Sequence, residues 1–346
     1  MERAEIKNIG ILTSGGDAPG MNAAVRAVAR AALDKGMRVF GIRRGFSGLI
    51  DGDIFEMNEK SVSEILQRGG TILYSARCPE FKTEEGIQKG VNTCKEFGLD
   101  GVVVIGGDGS FRGASDLSKR GVLCIGIPGT IDNDIACTDY TIGFDTAVNT
   151  VVENVDRIRD TAQSHDRCSI VEVMGRKAGY IALDAGIATG VTAVLVPEVE
   201  YDFEEDIIKR MKRTMRMGRQ HFLIIVAEGV GGSQKLAEDI EKRLGITTKC
   251  TILGHVQRGG SPTAYDRVMA SKMGYEAVQL LSQGIGDRVV AFKDNRIVNF
   301  DIQEALQMKK EFDMEKYKMV YAISTSGYEK HKRYVEKDLN ESFNKK

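Results

Sequence analysis

The 346-residue chain has no tryptophan, only five prolines and only four histidines. So little proline beside 39 glycines excludes a disordered or low-complexity chain and fits an enzyme with many glycine loops. The histidines lie far apart in sequence and suggest no zinc site. The six cysteines, Cys78, Cys94, Cys124, Cys137, Cys168 and Cys250, contain no C-x-x-C pair. They read as reduced thiols of a cytoplasmic protein. A net charge of −1 gives no global pull toward nucleic acid or membrane, so neither is expected as a partner. No apolar run approaches a membrane span, and no signal-peptide core follows Met1-Glu2-Arg3. There is no Gly-Lys dipeptide, hence no Walker A loop, and no clean G-x-G-x-x-G.

What is present centres on Val102-Val103-Val104-Ile105-Gly106-Gly107-Asp108-Gly109-Ser110. The aliphatic run reads as a strand buried on both faces in a parallel sheet. It runs into a glycine-rich turn, and a helical pattern follows through Ala114 and Leu117. Such a turn is either an anion cradle, with Asp108 holding a divalent cation, or a tight βα connection with Asp108 capping the helix. Further strands are expected near 9–12, 39–42, 72–74, 122–127, 170–173, 193–196, 222–226 and 250–253. Helices are expected near 61–67, 84–96, 203–217, 235–244 and 265–282, with a long amphipathic one from Asp145. The alternation predicts an α/β protein with mostly parallel sheet in two domains, the chain crossing between them more than once.

In open α/β sheets ligands bind beyond the carboxyl ends of the strands. Three expected loops there share one vocabulary: Gly15-Gly16-Asp17, Gly106 to Ser110, and Pro128-Gly129-Thr130-Ile131-Asp132-Asn133-Asp134. If the last is extended, Asp132 and Asp134 project to the same side, one fit to take a proton and the other to support a metal. An Asx-rich turn is the alternative. Arg176, after Met174-Gly175, suits charge on a transferring phosphoryl group or a surface ion pair. His255 and Arg258 could clamp an anionic substrate, and Glu228 could accept from sugar hydroxyls. The basic run from Lys209 to Arg219 reads as a solvated helix end rather than an anion or nucleic-acid site.

Together these stretches closely resemble the bacterial ATP-dependent 6-phosphofructokinases, from Ile9 to about Leu306. The resemblance is carried by Thr13 to Asn22, Gly69 to Arg77, Gly106 to Ser110, Pro128 to Asp134, Thr141 to Phe144, Val171 to Arg176 and Gly254 to Arg267. It implies transfer of the ATP γ-phosphoryl to the 1-hydroxyl of fructose 6-phosphate, a glycolytic step. It implies two Rossmann-like three-layer α/β/α domains: 1–143 with 257–307 for ATP, and 144–256 with 308–327 for the sugar phosphate. A charged tail, 328–346, would follow. By resemblance Asp132 is the general base, Thr130 and Arg176 stabilise the transferred group, and Asp108 holds Mg²⁺. Gly16, Phe46, Arg77, Cys78, Gly107, Gly109 and Ser110 would line the ATP site with Asp108. Met174, Gly175, Glu228, His255 and Arg258 would grip the sugar phosphate. Arg167 and Lys249 would reach it from a neighbouring subunit of a homotetramer.

Gly109 and Gly129 stand where relatives using pyrophosphate tend to carry Asp and Lys, so ATP is expected as donor. Lys249 replaces the family's usual Arg, which keeps the charge and loses the bidentate fork. Arg26, Arg30, Arg159 and Arg219 match a family effector pocket for ADP and phosphoenolpyruvate. Asp53, Met217 and Thr192 depart from it, so weak or altered regulation is expected. A pyrophosphate-dependent relative, another sugar-phosphate kinase and a non-catalytic subunit are the alternative readings.

Overall fold

The computed structural model describes residues 6–324. The expected tail at 328–346 lies outside them. Along the chain run Asn8–Thr13 (β1), Met21–Asp34 (α1), Arg38–Ile42 (β2), Phe46–Asp51 (α2), Ile54–Met57 (β3), Glu84–Glu96 (α3), Gly101–Gly106 (β4), Asp108–Ser118 (α4) and Leu123–Pro128 (β5). Then come Phe144–Ser164 (α5), Cys168–Val173 (β6), Tyr180–Thr189 (α6), Ala193–Leu195 (β7), Lys209–Arg216 (α7), Phe222–Ala227 (β8), Ser233–Leu244 (α8) and Thr248–Ile252 (β9). Ala264–Ser282 (α9), Arg288–Lys293 (β10), Arg296–Asp301 (β11), Ile302–Gln307 (α10) and Met314–Ser324 (α11) complete it.

The chain divides into two compact units. The first holds the chain up to Thr150 together with His255–Lys310, and the second holds Val151–Gly254 and the stretch from Glu311. The first is built on a seven-stranded sheet in the order β11-β10-β5-β4-β1-β2-β3. Its inner strands are parallel, and the β2–β3 and β10–β11 pairs are antiparallel at the two edges. β4 is buried along its whole length, as its aliphatic run requires. On α1, Met21, Ala24, Val25, Val28 and Ala32 form one buried face. The second unit has four strands, all parallel, in the order β7-β8-β6-β9, over a core that includes Ile170, Leu195, Ile208, Phe222, Ile224 and Ile240.

Two expected elements are absent. The helix near 61–67 is only a 3₁₀ turn at Glu59–Val62, capped by Asn58, and Glu64 follows it at φ +54°. A left-handed residue there ends helical propagation. The strand near 72–74 is a turn in which Tyr74 N donates to Thr71 O and Tyr74 itself has φ +55°. Near 203–217 the chain first makes a π-helical turn at Phe203–Ile208 and then α7.

Candidate active site

In the first unit β1 lies between β2 and β4, so the chain's winding reverses at β1 and β4. Two loops leave that switch point side by side, where a ligand crevice is expected. Ser14 N donates to Ile105 O at 2.9 Å, and Ser110 Oγ lies 3.2 Å from Ser14 O. A Cβ on Gly106 would fall 2.4 Å from Ser110 Oγ and 2.5 Å from Ser14 O, so only glycine fits this approach. Gly107 and Gly109 instead face open space, with no atom within 4 Å of where a Cβ would stand. Gly129 N joins the third loop to Gly106 O at 3.0 Å. The stretch leading to Arg77 and Cys78 is laced on by Thr13 Oγ1 to Tyr74 O at 2.7 Å and Ser75 Oγ to Gly15 O at 2.5 Å. Gly16, Gly107 to Ser110 and this stretch therefore share one rim. Gly129 is hemmed in by Ile105 and Met21, each 3.2 Å from an added Cβ.

Two expected residues stand differently. Phe46 is buried and stacked on Phe81, centroids 4.3 Å apart, under Gly113; it is core rather than an open aromatic wall. Arg258, assigned by resemblance to the sugar phosphate, donates to Asp17 O from Nε at 3.3 Å and from Nη2 at 3.1 Å. Its guanidinium lies over Gly16, where the missing Cβ leaves room.

The 130–134 segment is a turn, not an extended stretch. Asn133 has φ +50°, and its Nδ2 donates to Asp139 O at 3.2 Å. Asparagine tolerates this region because its short amide can bond locally. The Asx-rich turn, the alternative to an extended stretch, is thus the form found, and the two carboxylates differ: Asp132 is 5% exposed, whereas Asp134 is open to solvent. Thr130 Oγ1 accepts from Asp132 N at 3.2 Å, and Thr141 Oγ1 donates to Thr130 O at 2.6 Å.

Asp108 is the first residue of α4, and Gly107 occupies the capping position, so Asp108 does not cap the helix. Burial raises the Asp108 carboxyl above its ordinary range, and the charge of Asp134 raises it further against the pull of Arg112. Two carboxylates that act on each other in this way would suit a hard cation. Among the described residues no group of three or more candidate metal ligands occurs. A cation here would thus take its remaining oxygens from a bound phosphate or from water, as Mg²⁺ does.

In the second unit β6 ends in Met174-Gly175-Arg176. Gly175 has φ +139° and Arg176 φ +55°. A Cβ on Gly175 would fall 2.3 Å from Ala178 O. Glu228, after β8, holds this bend: its Oε1 accepts from Arg176 N at 2.7 Å, and its own N donates to Val173 O at 2.8 Å. The Arg176 side chain is exposed. Arg167 and Lys249 lie at the opposite, amino ends of β6 and β9. Lys249 pairs with Ser169, two residues after Arg167, so both basic residues share one face. His255 is exposed in the 3₁₀ turn Gly254–Arg258.

Of the expected effector residues, Arg26 and Arg30 line a groove with Ser63, Glu64, Leu66 and Gln67. Arg159 donates to Thr189 O, and Arg219 is exposed. Asp53 binds Arg43 Nη1 at 3.1 Å and Arg44 Nη1 at 2.7 Å. Thr192 is buried, its Oγ1 accepting from Leu223 N at 3.3 Å, and Met217 is exposed. Two features had no signal in the sequence: Glu228 as the clamp on Arg176, and Lys310, whose Nζ reaches the acidic turn across 177 residues.

The Phosphofructokinase family profile matches residues 8–281. A protein of Clostridium novyi (strain NT) named ATP-dependent 6-phosphofructokinase is 58% identical over 319 residues, 92% of this chain and 100% of its own. One of the same name from Clostridium botulinum (strain Hall) is 54% identical over the same shares. Phosphofructokinase from Saccharomyces cerevisiae superposes with a TM-score of 0.81 at 35% identity, over 87% of this chain and 45% of that one. A pyrophosphate-dependent phosphofructokinase from Marinobacter aquaeolei superposes with a TM-score of 0.82, over 93% of each chain, at 20% identity, a likeness of fold alone.

Proposed function

The chain belongs to the phosphofructokinase family, and from that membership we infer that it is a kinase of glycolysis, moving the γ-phosphoryl of ATP to the 1-hydroxyl of fructose 6-phosphate. The observation that carries this reading on the molecule itself is the β1/β4 switch point, where Gly16, Gly107 to Ser110 and Asp108 share one rim. Phosphoryl transfer needs positioning and charge neutralisation more than covalent chemistry. The α4 amino end, with Gly107 and Gly109 open beside it, suits phosphate oxygens. The space at Gly109 favours ATP over pyrophosphate as donor.

Asp132 is the general base that takes the proton of the attacking hydroxyl. The Thr130 hydroxyl accepts from Asp132 N, which leaves its own proton for an oxygen of the transferred group. Arg176 supplies positive charge to that group, aimed by the bend that Glu228 clamps. Met174, Gly175, Glu228, His255 and Arg258 serve the sugar phosphate, and Arg77 and Cys78 the nucleotide. Asp108, with Asp134 beside it, would hold the Mg²⁺ that accompanies ATP, which neutralises charge on the phosphoryl oxygens when bound.

A homotetramer with shared active sites accounts for Arg167 and Lys249. A strand of β6's length is about 17–20 Å long, so one sugar phosphate cannot touch both this pair and the Met174–Arg176 bend of the same chain. The pair is therefore free to serve a second copy. An exposed stripe on α9, made of Tyr265, Val268 and Tyr275, offers apolar surface for such contacts. Among the described residues no helix is long and apolar enough to cross a membrane. The six cysteines are free thiols, which fits a cytoplasmic location.

The test is initial rate with fructose 6-phosphate and either Mg-ATP or Mg-pyrophosphate. Rapid turnover with ATP alone is expected. Equal turnover with pyrophosphate would overturn the donor assignment, and no turnover with either would favour a non-catalytic subunit.

A further inference from the structure

Lys310 is the last residue of the first unit. Its Nζ donates to Asn133 O at 2.6 Å and to Thr138 O at 3.0 Å. Asn133 is the left-handed residue between Asp132 and Asp134, so the ammonium grips the peptide from Asn133 to Asp134, one residue on from Asp132. We propose, resting on the reading of Asp132 as general base, that Lys310 is a positioning residue for phosphoryl transfer, locking the 132–134 turn so that the base keeps its heading.

Asparagine tolerates the left-handed region, and a turn built on it keeps one heading only where its surroundings hold it. The far end of the loop is already anchored without Lys310. Thr138 Oγ1 accepts from Phe292 N at 3.0 Å, and Asp139 N donates to Phe292 O at 2.8 Å. What Lys310 adds is a tie from that fixed end to the Asn133 carbonyl. Thr141 Oγ1 and the Asn133 amide, which also bond the turn, are neutral groups. A charged donor makes a bond roughly twice as strong as theirs. The position is costly for a lysine: burial pulls its ammonium down to about 8, against the opposing pull of Asp139 and Asp134. Its Nζ donates to two backbone carbonyls, so its influence on Asp132 passes through the turn.

The experiment compares the wild-type chain with Lys310→Met, which keeps the stem and removes the charge, and Lys310→Ala with and without ethylammonium. Lys310→Met is expected to lower kcat about 10- to 100-fold, with KM for both substrates within about twofold, because misplacing a reacting group costs rate rather than binding. Ethylammonium is expected to restore part of the Lys310→Ala rate and none of the Lys310→Met rate. Unchanged kcat, a loss seen mainly in KM, absence of amine rescue, or variants whose circular dichroism shows them unfolded would each overturn the proposal. A wild-type chain that does not phosphorylate fructose 6-phosphate from ATP would instead overturn the reading on which it rests.

Discussion

Asp108 and Asp134 meet as like charges: with burial as the larger cause, the Asp134 carboxylate pushes the Asp108 carboxyl above its ordinary range. A cation between them would relieve that repulsion. Asp134→Asn is expected to raise the free Mg²⁺ needed for half-maximal rate by about tenfold while sparing most of kcat at saturating Mg²⁺. Asp108→Asn is expected to cost at least about 100-fold in kcat, with no recovery at high Mg²⁺. Rates over a Mg²⁺ titration decide it, and an unchanged half-point in Asp134→Asn would count against the pairing.

Glu228 works on Arg176 through the backbone. Its Oε1 accepts from Arg176 N, at a residue whose φ is +55°. Glutamine keeps a carbonyl oxygen for that bond, and alanine does not. Glu228→Ala is expected to lower kcat/KM for fructose 6-phosphate about 100-fold, and Glu228→Gln about tenfold or less. Equal losses in steady-state kinetics would mean that the carboxylate's charge, acting on the sugar itself, carries its role.

The buried run of β4 and the glycine loops were legible because their signals are local: an aliphatic strand, then a run of glycines of which Gly106 is required by a close backbone approach. The helices of strong period were legible for the same reason. At Asp132 to Asp134 the sequence left an extended stretch and an Asx-rich turn both open, because an extended and a left-handed Asn133 look alike in sequence, and the turn is the form found. The 61–67 and 72–74 segments were misread because their apolar residues, Ile65 and Leu73 among them, are buried by turns rather than by periodic elements. Lys310, Glu228 and Asp266 act on residues 52 to 177 positions away, and no spacing rule reaches that far.

Gly16 tests the contact beneath Arg258. A Cβ there would fall 1.6 Å from Arg258 Nη2, at the end of a flexible side chain. Gly16→Ala is therefore expected to fold normally, displace the guanidinium and raise KM for ATP and for fructose 6-phosphate, each by about tenfold. Thermal melting and initial rates together check it. A wild-type KM in a folded variant would show that the first loop tolerates the displaced arginine.

Asp53 bears on regulation. By resemblance it departs from the family's effector pocket, and its carboxylate is shared between Arg43 and Arg44. Those two guanidiniums are thereby engaged, and the groove at Arg26 and Arg30 carries Glu64, which repels an anion. Added ADP is expected to leave the midpoint and shape of the fructose 6-phosphate curve unchanged beyond competition with ATP. A sigmoidal curve shifted by ADP to lower substrate would show a working effector site.

Asp266 holds the start of α5 from within α9. Its carboxylate accepts from Tyr140 Oη at 2.5 Å, Gly143 N at 2.6 Å, Thr146 N at 2.9 Å and Thr146 Oγ1 at 2.5 Å. An amide in its place would turn an N–H₂ group toward donors, so Asp266→Asn is expected to cost about 2 kcal/mol and about 5 °C in Tm. Burial raises this carboxyl despite the four hydrogen bonds, which act to lower it. A carboxyl with a raised folded-state value favours the fold most below its unfolded value and loses that advantage as pH rises through the folded value. The Tm gap between wild type and Asp266→Asn should therefore widen as pH is lowered toward the ordinary carboxylate range. A gap that narrows instead would mean that the four donors outweigh burial and hold the carboxyl below its ordinary value.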